Sequence, residues 1–182
     1  MNGDLAQQTG DLKKYLLSRE IGELKREAEE CGGCALKHED RRFVLLATIA
    51  YSFAKLFDKP YIAESRQFKE LLPRALERLD TALDALAAGD LKEYDAQLHG
   101  IIGDVKHLSQ DLGRFVVNIV DKARIKAATQ IYAHGASLGR AAEMAGVDKR
   151  ELAAYVGQTT LTDKYETMPV SQRLARARKL FD

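Results

Sequence analysis

The chain has 182 residues, 46% hydrophobic and 30% charged, with a formal net charge of +1, no tryptophan, three prolines and two cysteines. That length can bury a core without metal or disulfide staples, and the apolar content excludes a disordered polymer. The most apolar run, Phe43 to Ala54, is too short to span a bilayer, and the N-terminal MNGDLAQQTGDLKK lacks the apolar core of a secretion signal, so a cytoplasmic, membrane-free protein is expected.

Ala, Leu, Glu, Lys, Arg and Asp dominate, and no segment alternates with the two-residue period of a strand, so the fold class expected is all-α. Residues 1–10 read as a loose polar tail. From about Asp11 to Glu30, the residues Leu12, Tyr15, Leu16, Leu24 and Ala28 fall on or near one helical face, and Gly32 and Gly33 mark its end. A second helix is expected from about Glu39 to Phe57. It is apolar on almost all sides between Phe43 and Ala54, the signature of a buried central helix, and Asp58, Lys59 and Pro60 stop it.

A third helix from about Glu64 to Ala88 carries the stripe Phe68, Leu71, Leu72, Ala75, Leu76, Leu79, Leu83 and Leu86, with Pro73 inside it as a kink or a new start. Gly89 breaks it. Asp90 then caps a fourth helix, with Glu93 at the capping-box position. Helical pattern continues without proline from Leu91 to about Ala133. Leu98, Val105, Leu112 and Ile119 recur every seven residues, which predicts either a homodimer seam or part of the protein's own core. The organisation expected is thus a helical bundle over residues 11–134, its long fourth helix leading into a C-terminal unit over 135–182.

Cys31-Gly-Gly-Cys34 with His38 has ligand types and a spacing that suit zinc, but a structural site needs a fourth ligand and the chain has no second cysteine pair. A redox pair would need a strand-to-helix junction. Metal ligation, a loop disulfide and inert loop thiols stay open for these residues, and no metal or other cofactor is expected. Asp104, His107 and Asp111 form at most one half of a di-iron pattern. No P-loop, dinucleotide-binding glycine pattern, nucleophile elbow or His-Glu-x-x-His is present, so a non-enzymatic protein is expected.

The stretch SLGRAAEMAGVDKRELAAYVG, residues 137–157, predicts a helix-turn-helix. Ala142 is small where a second helix must cross closely, and Gly146 four residues later supplies a left-handed turn. Asp148 and Glu151 form an Asp-x-x-Glu cap for the helix that follows. Ala141, Ala145, Val147, Leu152 and Tyr155 fall inward, while Lys149, Arg150, Ala153 and Ala154 fall outward. Charge is unevenly spread: residues 1–113 carry 16 Lys and Arg against 20 Asp and Glu, and residues 114–182 carry 12 against 7. A basic C-terminal third favours an anionic partner.

Residues 131–157, and Leu138, Ala141, Ala142, Glu143, Ala145 and Gly146 above all, resemble the helix-turn-helix of small archaeal and bacterial antitoxin-like proteins, and the chain as a whole looks like helical proteins of archaea that end in this element. The resemblance implies DNA binding or toxin partnering for this segment. Duplex DNA would be contacted by Lys149 and Arg150 on the second helix. Arg140, Arg124, Lys126 and the cluster around Arg173 and Arg176 would add backbone contacts. The alternative is a helical protein–protein interaction or scaffold module without nucleic acid, which the two alanines and two acids of the second helix favour.

Overall fold

The computed structural model describes residues 2–111 and 118–158. Among these residues the fold is all-α, without strands: α1 (Asn2–Ser18), α2 (Ile21–His38), α3 (Arg42–Phe57), α4 (Pro60–Ala63), α5 (Arg66–Ala88), α6 (Leu91–Asp111), α7 (Ile119–Ala133), α8 (Leu138–Ala145) and α9 (Lys149–Gln158). None of the described helices is long and apolar enough to cross a membrane.

The centre is α3, as its all-round apolar sequence predicts. Phe43, Leu46, Ala50, Phe53, Ala54 and Leu56 are fully buried, and α1, α2, α6 and α7 pack around the helix. Phe53, Phe57 and Phe68 form an aromatic cluster joining α3 to α5, with ring centroids 5.3 to 6.2 Å apart. The Ser65 hydroxyl caps α5 by accepting from Phe68 N at 3.2 Å, and α5 runs on through Pro73. Gly89, at φ +77°, closes α5, and Asp90 caps α6 by accepting from the backbone of Lys92 and Glu93.

Four expectations need correction. Residues 2–10 are no loose tail: they form the first half of α1, burying Leu5, Gln8 and Thr9. Tyr94 of α6 donates to the Thr9 hydroxyl at 2.8 Å while that hydroxyl donates to Leu5 O, which pins α1 to α6. The helix expected from Asp11 to Glu30 is two helices, broken at Arg19, whose φ of +55° no helical residue adopts. Gly32 and Gly33 do not end α2 but lie inside it, facing Gln130 and His134 of α7. The helix expected from Leu91 to Ala133 is α6 and α7, with left-handed Asn118 (φ +76°) immediately before α7. Both halves then pack against α3. Of the seven-residue seam, Leu98 and Val105 are buried in the chain's own core, as are Ile101, Ile102 and Leu108 beside them, Ile119 is half-buried, and Leu112 lies outside the described residues.

Candidate nucleic-acid interface

α8 and α9 form a two-helix unit seated on α7. Ser137 starts it, its hydroxyl accepting from Arg140 N at 3.2 Å. Gly146, at φ +64°, ends α8. Val147 N reaches back to Ala142 O at 3.0 Å and Gly146 N to Glu143 O at 3.3 Å, the paired bonds of a glycine-closed helix end. Asp148 Oδ1 then accepts from Arg150 N at 2.8 Å and Glu151 N at 3.0 Å, which caps α9. Ala141, Ala142, Met144, Ala145 and Leu152 are buried, and Val147 and Tyr155 are half-buried. Lys149, Arg150, Ala153 and Ala154 are exposed, so α9 turns outward the face expected from its sequence.

The charges around this unit are less free than their number suggests. Arg140 donates to Glu39 at 3.1 Å and to Glu143 at 3.3 Å. Arg41 donates to the backbone carbonyl of Glu143 at 3.2 Å, a cation at the negative end of α8. These contacts tie α8 to the junction of α2 and α3, so Arg140 acts first as a tether. Lys149 and Arg150 take part in no ion pair among the described residues. Asp148 and Glu151 are exposed beside them. Arg173 and Arg176 lie outside the described residues.

Behind the unit is a cleft of about 690 Å³ between the start of α3, α6, α7 and the end of α8. Its wall carries Arg42, which donates to Asp95 at 2.7 and 3.0 Å and to Asp40 at 3.2 Å. Each carboxylate faces the same guanidinium, so this group locks the α3 start to α6. Arg124 lines the cleft half-buried, whereas Lys126 lies on a separate groove among α2, α3 and α7. Two of the cations expected to extend one basic face therefore open onto different sides.

Cys31, Cys34 and His38 do not converge on one point. All three belong to α2 rather than to a loop, which corrects the expected loop thiols. Cys31 is buried and donates weakly to Gln8 at 3.3 Å and Glu27 at 3.4 Å. Burial pushes its thiol well above the usual range, and burial also raises that of Cys34, the opposite of nucleophile activation. His38 stacks on Phe43, with its Nε2 3.5 Å from Asp4. Both cysteines are free thiols, and no group of three or more metal-ligating side chains comes together among the described residues.

Sequence reasoning missed the Glu39–Arg140–Glu143–Arg41 group. Its partners lie about a hundred positions apart and carry no local signal, since any surface arginine could occupy either position. No protein-family model, curated protein or solved structure matches the chain.

Proposed function

We propose that the chain is a non-enzymatic regulatory protein that binds nucleic acid, in the first place duplex DNA, through a helix-turn-helix made by α8 and α9 at the end of a helical bundle. One observation carries this reading. α8 is buried against α7 and capped at both ends, while the face of α9 holding Lys149, Arg150, Ala153 and Ala154 is exposed. A helix held this way can enter a major groove, with two cations that have no ion pair among the described residues at its N-terminal end, where such helices meet base edges and phosphates. The alanines offer contact to thymine methyls. The resemblance of residues 131–157 to antitoxin-like helix-turn-helix units supports the same reading.

Two half-sites would be read by a homodimer. Its contact surface lies elsewhere than on Leu98 and Val105, which are buried inside one chain. The mass in solution by light scattering, against 20.3 kDa for one chain, tests this part.

Binding to random-sequence duplex DNA across a salt series tests the main reading. Lys149→Ala with Arg150→Ala removes two phosphate or base contacts and should flatten the slope of log affinity against log salt by up to ~2. Duplex binding absent even at low salt would overturn it. The second reading, a protein-interaction module, is favoured by one feature: Glu39 and Glu143 neutralise Arg140 and interrupt the basic face beside α9.

A further inference from the structure

Tyr51 of α3 lines two adjoining grooves that share no lining residue with the α8 cleft. The first, about 220 Å³, takes Lys25 from α2, Lys55 from α3 and Lys126 from α7. The second, about 330 Å³, shares Lys55 and adds Lys59 and Lys122. Against these five lysines the two grooves hold two acids, Glu29 and Asp58. Lys25, Lys55, Lys122 and Lys126 belong to no ion pair among the described residues. Lys122 and Lys126 are one turn apart on α7, so their ammonium groups follow the groove in register. The Lys55 ammonium lies over the Tyr51 ring, 5.4 Å from its centre, and the half-buried Tyr51 lines both concavities, so a base stacking there would displace a flexible lysine from the ring.

Three helices distant in sequence thus deliver like charges to one concave strip around an aromatic ring. Four cations that repel one another and have no carboxylate paired to them among the described residues fit a row of anions. The concavity narrows the choice. A duplex presents its phosphates on a convex cylinder, and a membrane presents a flat sheet, but a single strand can enter a groove and lay a base on a ring. An acidic peptide would match the charge and leave the ring unused.

We propose that these joined grooves bind a single-stranded nucleic acid, with Lys25, Lys55, Lys122 and Lys126 on successive phosphates and Tyr51 stacking on a base. Its cations are not those of the α9 reading, because neither Lys149 nor Arg150 lines either groove, although Tyr155 of α9 lies near Tyr51.

Fluorescence anisotropy of the full chain with a short labelled oligothymidylate, across a salt series, tests it. The wild type should bind at low salt. Lys55→Gln, Lys122→Gln and Lys126→Gln together should flatten the salt slope by ~2, at about 0.7 per phosphate lost from a single strand. Tyr51→Leu should weaken binding roughly 5- to 100-fold. Circular dichroism melting verifies that both variants fold, and the exposed Lys25→Gln gives a reading that burial cannot confuse. Lys149→Ala with Arg150→Ala should leave this binding unchanged. The proposal is overturned by no binding at low salt, or by a lysine triple variant that binds like the wild type. It is also overturned if a duplex of equal length, or polyglutamate, binds as tightly and is lost with the same lysines. Loss of duplex binding in the α9 variant alone would leave the α9 reading standing while removing nothing from this one.

Discussion

A methyl group added to Gly32 would lie 2.6 Å from Cβ of Gln130, an atom fixed to the α7 backbone. Intrinsic helix propensity favours alanine over glycine by about 1 kcal/mol, but overpacking against an immovable neighbour costs about 1–3 kcal/mol. The second effect wins where Gln130 cannot move, and Gly32→Ala should destabilise the protein by up to about 2 kcal/mol. Gly22, in the same helix with nothing within 4 Å of its would-be Cβ, should respond in the opposite sense, gaining up to about 1 kcal/mol as alanine. Urea midpoints of the two variants give the comparison directly, and a stabilised Gly32→Ala would show that α7 does not press on α2 there. Glu27 makes the other residue-scale case. It is buried, its carboxylate accepting from Cys31 at 3.4 Å. Burial, with added repulsion from Asp11 and Glu30, pushes its pKa up to about 7, against the Cys31 hydrogen bond and Arg26, which pull it down. At pH 4 both folded and unfolded chains hold the proton. As pH rises toward 7 the unfolded chain releases it first, so native stability falls across that window and is level above it. Glu27→Gln removes this loss. It should leave stability nearly unchanged at pH 4 and raise it by about 2–3 kcal/mol at pH 8. An equal effect at both pH values would mean that Glu27 titrates in the folded protein as it does in the unfolded chain.

Among the elements, those with strong punctuation were legible. Asp90 and Asp148 mark helix starts, and Gly89 and Gly146 mark ends, because each supplies a specific hydrogen bond or a left-handed φ. Gly146 has open space around its would-be Cβ, so its substitution is limited by backbone alone. Gly146→Val should cost more than about 1 kcal/mol, since a β-branched residue resists φ +64°. The loss should appear as local opening of α8 and α9 in hydrogen exchange, with α3 still protected. Uniform loss of protection would mean that the unit and the body unfold together. The elements that were not legible share one cause: their boundaries are set by tertiary contact. Arg19 and Asn118 take left-handed conformations without the glycine that announces them. The glycine pair at 32–33 suggests a stop, yet serves as a shallow seat for α7. The outward face of α9 could be foreseen from helical period. The neutralisation of Arg140 by Glu39 could not, because it depends on how α8 docks across a hundred residues of chain.

At the scale of the whole molecule, α1 closes the body. It packs on α2, α3 and α5, and its first half supplies three side-chain ties, one to α6 and two to α2. Thr9 meets Tyr94 of α6, Gln8 accepts from Cys31 of α2, and Asp4 lies beside His38 at the far end of α2. Leu5 is fully buried among the same core residues as Leu12 and Leu16. Deleting residues 1–10 would therefore do more than trim a polar end. It exposes the Leu5 site, worth about 2–3 kcal/mol, and leaves the buried Tyr94 hydroxyl without its partner, about 1 kcal/mol, while the Cys31 thiol keeps Glu27. The sum, about 3–4 kcal/mol, is a large share of the 5–15 kcal/mol typical of a domain. For a chain of this size it corresponds to a fall in melting temperature of roughly 10 °C. Tyr94→Phe separates the contributions: with Thr9 still donating to Leu5 O, it should cost only about 1 kcal/mol. Because α8 and α9 dock on α7 rather than on α1, the proposed nucleic-acid binding should survive the truncation below the lowered melting point. Thermal melts of the three proteins measure the first effect and anisotropy at low temperature the second. An unchanged melting temperature after truncation would mean that α1 begins, energetically, only after residue 10.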